Sequence, residues 1–302
     1  MNKKVIKSDI DLVSLIDQFG SEESCRAYLE SLRWPDGIAC PRCQSKKISR
    51  IKKRGQFDCD SCRYQFSVLV GSVFSDTHLP LHKWMLATYI ICESKKGVSS
   101  NQLKRMLGVS YKTAWHLTHR IRSAMKDEGA PLLSGIVEVD EAYVGGKRKG
   151  VGQGSKKHRT MVLGAIARGG DVRFKVEKRN DRKTLHGFIN SVVADDAEAI
   201  FTDDWHPYKG IADENTRHEI VNHTEKEWVR GQVHTNTVEG VWSLLKRSLI
   251  GSYHQLSAKH LPAYLDELSW RFNNRQNPYL FRDTVRRLLD AETLRYQQLI
   301  EA

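Results

Sequence analysis

The sequence has 302 residues, 40% hydrophobic and 28% charged, enough apolar material for at least one core and room for two domains. Lys and Arg number 48 against 36 Asp and Glu, so a net charge of +12 favours a polyanionic partner, nucleic acid or an acidic membrane surface, without choosing between them. No stretch approaches the roughly 18–20 apolar residues of a membrane span. The N-terminal MNKKVIKSDIDLVSLIDQFG has no apolar run of the secretory kind, so the expected location is the cytoplasm or the nucleoid.

In chain order, residues 10–33 read as two helices. Leu12, Leu15 and Ile16 recur at helical spacing, and Ser21 with Glu22 and Glu23 opens the second. Trp34–Gly37 ends it, and 38–73 turns strand-like. Leu81–Glu93 is helical, and 99–127 is a helix pair broken at Gly108. After Pro131, the segments IVEVDEAYV, TMVLGAIA and DVRFKVEKR read as consecutive strands. A helix over 181–195 follows, with Leu185, Phe188, Ile189 and Val192 on one face. Next come a short strand at 199–201, another at 218–223, and long helices from Asn236 and Leu261. That order is an α/β domain with mixed strand pairing. Residues 145–159, rich in Gly and Lys, have the composition of a mobile basic loop.

Of the six cysteines, Cys25 and Cys92 lie in helical contexts as ordinary thiols. The other four, Cys40, Cys43, Cys59 and Cys62, form two CxxC pairs joined by a stretch that must run out and back as a hairpin. Two such knuckles surround one zinc tetrahedrally, and with all four positions filled the metal is structural. The surrounding Arg42, Lys46, Lys47, Arg50, Lys52, Lys53 and Arg54 suit DNA phosphates or simple solvation.

Ser99–Asn101 caps a helix to Leu107, Gly108–Ser110 is a tight turn, and a second helix begins at Tyr111. Leu103, Met106, Leu107, Val109, Ala114, Leu117 and Ile121 make a small core. Tyr111, Lys112, Thr113, His116 and Arg120 point outward. This is the layout of a helix-turn-helix whose second helix enters a major groove, or of a plain helical hairpin.

Three acidic positions stand out. Asp140 shares one face of its strand with Glu138, Asp203 ends a short strand, and Glu239 lies in the first turn of the helix from Asn236. Phosphoryl transfer on DNA needs hard oxygen ligands for Mg²⁺, and three elements can bring them together around two ions. Lys246, about 10 Å along the helix from Glu239 by helical rise, is placed to grip a phosphate. Singly, each acid also has an ordinary role. Glu138 and Glu141 suit an exposed strand, Asp203 or Asp204 a helix cap, and Glu239 a helix dipole. Together, in this strand order, they are better explained as a metal site.

These residues resemble a known family. The stretches WPDGIACPRC from Trp34, GVSYKTAWHLTHRIRSAM from Gly108, VEVDEAYVGGK from Val137, TDDWHPY from Thr202 and HTNTVEGVWSLLK from His234 are similar to those of bacterial insertion-sequence transposases with an N-terminal zinc ribbon and a DDE domain. The later YLDE from Tyr264 and RFNNR from Arg271 also fit. The resemblance implies an RNase-H-like mixed sheet flanked by helices. It divides the chain into helices and zinc ribbon (1–75), helix-turn-helix (76–130) and catalytic domain (131–302). It implies Asp140, Asp203 and Glu239 as the triad, with Mg²⁺ or Mn²⁺. His234 supports the site or orients the loop before Glu239. The implied partner is double-stranded DNA, element ends and target, bound by a homo-oligomer. Lys112, Thr113, His116, Arg120, Lys147, Arg148 and Lys246 are the DNA-contacting candidates. A regulator that binds DNA without cutting it, and a nuclease that cuts without joining, are the competing expectations.

Overall fold

The computed structural model describes residues 10–145, 159–212, 216–222, 227, 229–254 and 256–301. Its elements in chain order are α1 (Leu12–Gln18), α2 (Glu22–Arg33), β1 (Ile48–Ile51), β2 (Gln56–Cys59), β3 (Gln65–Phe66), α3 (Leu81–Glu93), α4 (Ser100–Leu107) and α5 (Tyr111–Ala124). They continue with β4 (Ile136–Val144), β5 (Thr160–Ala167), β6 (Val172–Glu177), α6 (Arg182–Val192), β7 (Ala199–Asp203), β8 (Arg217–Val221), α7 (Asn236–Ser248), α8 (Leu261–Asn273), α9 (Leu280–Asp290) and α10 (Tyr296–Ile300). Two compact units emerge: Met1–Lys126 with Asn274–Ala302, and Asp127–Asn273. Residues 274–302, expected with the last domain, thus group with the N-terminal part.

In the first unit, side chains cap the helices at Ser21 and Ser99, as the sequence indicates, and also at Asp11 and Ser110. Asp11 accepts from Ser14 N at 2.9 Å, Ser21 from Ser24 N at 3.0 Å, Ser99 from Gln102 N at 3.1 Å and Ser110 from Thr113 N at 3.0 Å. Gly108, at φ +60°, ends α4 in the left-handed conformation that a Cβ disfavours. In α1, Leu15 is buried, whereas Leu12 and Ile16 are largely exposed. The helical-pair core forms from Leu103, Leu107, Ala114, Leu117 and Ile121, but Met106 is exposed. The helix α9 buries Phe281, Val285, Leu288 and Leu289 and packs on α2, α3 and α5. Strands β1–β3 form a small antiparallel sheet. Cys25 and Cys92 are buried thiols, as expected.

The second unit is built on a five-stranded sheet in the order β6-β5-β4-β7-β8. The first three strands form an antiparallel meander, and β7 and β8 add in parallel. This is the RNase-H-like mixed sheet expected. The strand alternation decides the layers. Val137 and Val139 face one side with Leu185, Phe188 and Ile189 of α6. Ala142 lies on the other with Val238, Val241, Trp242 and Leu245 of α7 and Leu261, Leu265 and Leu268 of α8. The strand at 217–221 begins one residue earlier than read from sequence, and α7 passes into a π-helical turn at Leu249–Tyr253. Among the described residues no helix is long and apolar enough to cross a membrane.

Candidate active site and zinc ribbon

The ribbon repeats one local device twice. Gln44 N donates to Cys40 O at 2.9 Å and Arg63 N to Cys59 O at 2.8 Å. Cys40 N and Cys59 N donate to Ser45 O and Tyr64 O at 2.9 and 3.1 Å. Gln44 and Arg63 both take positive φ, near 59° and 58°, which turns each knuckle back on itself. The four sulfurs lie within 4.8 Å of one another, with Cys40 Sγ–Cys62 Sγ at 3.7 Å and Cys43 Sγ–Cys59 Sγ at 3.5 Å. Tetrahedral zinc with Zn–S bonds of about 2.3 Å requires sulfurs about 3.8 Å apart, so this donor set fits one zinc. The coupled thiols move apart: burial pushes Cys59 up but N–H groups of Cys62 and Ser61 and neighbouring thiols bring it down to about 7, whereas Cys43, despite the Ser45 N–H, is pushed up to about 12 by the other thiols. Phe57 and Phe66 seal the ribbon core with the edge of Trp34.

On β4, Asp140 lies half-buried on the face toward α7. Its Oδ1 accepts from Glu141 N at 2.8 Å and its Oδ2 from Trp242 Nε1 at 2.8 Å. Trp242 reaches it across Gly164, Asp140's partner on β5. A Cβ on Gly164 would lie 2.6 Å from Trp242 Cη2 and Cζ2. Burial, then the charges of Asp203 and Glu239, outweigh these two donors and push the Asp140 carboxyl up to about 6. Asp203, at the carboxyl end of β7, is half-buried and accepts from Trp205 N at 3.3 Å, while Asp204 is exposed. Glu239 is exposed in the first turn of α7, with Thr235 Oγ1 3.4 Å from its Oε1. Each of the three acids therefore sits on the element anticipated for it, and Asp140 feels the other two.

Among the described residues, the four cysteines form the group whose ligand atoms all lie within 4.8 Å, and the three acids are not so tightly gathered. Carboxylates shared between two ions about 4 Å apart need not all touch.

Glu138 is not an exposed strand residue. Its side chain is wholly buried, and its carboxylate accepts from Arg168 Nε at 2.7 Å, Thr237 N at 2.7 Å, Thr237 Oγ1 at 2.8 Å and Val238 N at 3.0 Å. His234 Nδ1 lies 3.3 Å from it and 3.0 Å from Arg168 Nη2. Glu141 accepts from the buried Tyr208 hydroxyl at 3.0 Å. Burial and then Glu141's charge raise that phenol well above its usual range. Sequence reasoning missed Gly164, Arg168 and Tyr208 as parts of this site. The glycine inside the apolar run TMVLGAIA was the available signal, since a strand glycine marks a close approach.

The DNA-contacting candidates scatter. Lys246 is exposed on α7, at the rim of a cavity of about 590 Å³ lined by Tyr143, Trp242, Leu249 and Ile250. Arg120, expected to point outward, is only 6% exposed. Its guanidinium donates to Val73 O and, at 2.8 Å, to Ser75 O, and lies over the Trp84 ring. It ties α5 to the preceding loop rather than offering a charge to DNA. Thr113 is half-buried at the capped start of α5. Lys112 Nζ sits 4.3 Å over the Tyr296 ring, and His116 Nε2 is 2.9 Å from Leu294 O. Lys147, Arg148 and most of the basic loop 145–159 lie outside the described residues.

Comparison with known proteins identifies the family. Residues 132–273 match the ISXO2-like transposase domain and residues 20–65 the transposase zinc-ribbon domain. An uncharacterized protein in transposable element ISH50 of Halobacterium salinarum is 30% identical over 270 residues, 83% of this chain and 90% of that one. Among solved structures, the Mos1 strand transfer complex is 9% identical over 68% of this chain and 75% of that chain, with a TM-score of 0.32. The pre-cleavage Mos1 transpososome is 11% identical over 88% and 97%, with a TM-score of 0.28. Likeness that slight adds nothing to the site. With the two domain matches and the ISH50 relative spanning nearly its whole length, the chain belongs to the ISXO2-like DNA transposases that carry an N-terminal zinc ribbon.

Proposed function

We propose that Asp140, Asp203 and Glu239 form a DDE site that cleaves DNA at the ends of an insertion sequence and joins those ends to target DNA. The observation that carries the reading is the β4–β7 register, which pairs Glu138 with Phe201 and so sets Asp140 level with Asp203 two residues on. A first strand, a later strand end and a following helix each deliver a carboxylate, and Asp140 registers the charge of both others. Carboxylates on neighbouring elements suit divalent cations, whose charge offsets their mutual repulsion. Mg²⁺ or Mn²⁺, when bound, supplies charge stabilisation for in-line phosphoryl transfer.

The side chains have separate tasks. Asp140, Asp203 and Glu239 hold the cations, and Trp242 and the Glu141 amide fix the Asp140 carboxylate in orientation. Lys246, one exposed cation on the same helix as Glu239, steadies a DNA phosphate. In the first step a water oxygen bonds to phosphorus and the P–O bond to the 3′-oxygen breaks, leaving a 3′-hydroxyl. In the second, that hydroxyl bonds to a target phosphorus and displaces a target 3′-oxygen. Both steps are positioning and charge neutralisation rather than covalent catalysis by the protein.

The partner is double-stranded DNA, consistent with the net charge of +12. Assembly as a homo-oligomer on paired ends, and residence on the nucleoid, belong to the same proposal. The test is an end-cleavage and strand-transfer assay with Mg²⁺. Asp140→Ala is expected to abolish both products while end binding persists. Full activity in that variant overturns the reading, and cleaved but never joined ends reduce it to a nuclease.

A further inference from the structure

Helix α7 starts without a cap of its own. Thr235, at the N-cap position, accepts no backbone N–H of the first turn with its side chain, yet the N–H groups of Thr237 and Val238 must be satisfied because Val238 is buried. The acceptor comes from another element. Glu138 Oε2 on β4 takes Thr237 N at 2.7 Å and Val238 N at 3.0 Å, the two bonds an N-cap would make. Its Oε1 takes Thr237 Oγ1 at 2.8 Å and Arg168 Nε at 2.7 Å. Arg168 Nη2 then donates to His234 O at 3.0 Å, fixing the chain just before the helix. A carboxylate at this end also suits the helix dipole.

The consequence lies two residues along β4 and one residue along α7. Glu138 and Asp140 share a strand face, and Val238 immediately precedes Glu239. A clamp between Glu138 and the first turn of α7 therefore sets where Glu239 and, one turn on, Trp242 stand against Asp140. We propose that Glu138 is a positioning residue of the active site, acting by capping α7 in trans, with Arg168 as its counterion. It holds no cation and touches no DNA. This inference rests on the DDE reading above.

The test uses the full chain and three variants. Glu138→Gln keeps the shape but exchanges an acceptor oxygen for a donor. Glu138→Leu with Arg168→Met removes the clamp without leaving a buried unpaired charge, so that folding and positioning separate. Asp140→Asn is the control. Hydrogen exchange at the Thr237 and Val238 amides, read without cation or DNA, is expected to accelerate in the Glu138 variants and stay slow in Asp140→Asn. Single-turnover end cleavage is expected to fall about 10- to 100-fold, the range for residues that orient metal ligands. The Mn²⁺ concentration for half-maximal rate should rise about tenfold, with end affinity unchanged. Slow amide exchange in the Glu138 variants overturns the clamp. Wild-type cleavage and Mn²⁺ dependence in the folded double variant overturn the positioning role. Active Asp140→Asn instead removes the DDE reading beneath it, while leaving the amide result to stand or fall alone.

Discussion

Two carboxyls on one strand face, Glu138 and Asp140, have opposite surroundings. Glu138 is enclosed by four donors, whereas Asp140 has two and faces the negative charges of Asp203 and Glu239. With its pKa moved from 3.8 to about 6, Asp140 keeps a proton in the folded chain that the unfolded chain has already released. Its contribution to stability is thus full below pH 3.8 and lost as the pH rises through 6. Asp140→Asn is expected to stabilise the cation-free protein above pH 6 by about 1–3 kcal/mol, with the gain vanishing below pH 4, as read from denaturant melts across pH. No gain above pH 6 would mean that neither burial nor the neighbouring acids raise the Asp140 carboxyl. Gly164 is the other residue with a narrow requirement. Gly164→Ala puts a methyl into the Trp242 ring and should cost about 1–3 kcal/mol together with most of the cleavage rate. Adding Trp242→Phe should recover stability but not rate, since the donor to Asp140 is gone.

The elements themselves were largely readable, because strand alternation and caps are local chemistry. Leu81–Glu93, Ile136–Val144 and Thr160–Ala167 form over the spans their patterns indicate. What escaped depends on distant partners. Glu138 looked like an exposed strand acid until α7 folded over it, and Arg120 looked like an outward cation until Val73 and Ser75 offered carbonyls. The α10 segment is a further case. Tyr296 and Leu294 occupy the face of α5 that carries Lys112 and His116. If α5 reads DNA, Tyr296→Ala should raise DNA affinity severalfold in an anisotropy titration; an unchanged or weakened affinity would assign that face to structure. Burial first, then Arg120 and Lys112, lower the His116 pKa below 6.5. Its packing therefore contributes fully above pH 6.5 and weakens as the pH falls below it. The ribbon is tied to α2 by the Arg50–Glu30 ion pair but has only a small core of its own. Zinc removal by a strong chelator should unfold the β1–β3 sheet, seen as accelerated amide hydrogen exchange confined to β1–β3, because four neighbouring thiols without metal have a small core to hold them.

At the scale of the molecule, a chain with a net charge of +12 sets Asp140, midway along β4, beside Asp203 at the end of β7. The RNase-H-like order explains how. Parallel addition of β7 beside β4 brings Asp203 to the same edge as Asp140, and α7 returns across the face to present Glu239. The order of strands and helices was already legible in the sequence, while the bonds from Glu138 to the first turn of α7 and the grouping of residues 274–302 with the N-terminal unit required the fold. The sharpest test is crystallographic. Crystals soaked in Mn²⁺ should give two anomalous peaks about 4 Å apart among Asp140, Asp203 and Glu239, with at least one lost in Asp140→Asn. Peaks elsewhere, or the same two peaks in the variant, would contradict the assignment of these three acids as the catalytic set.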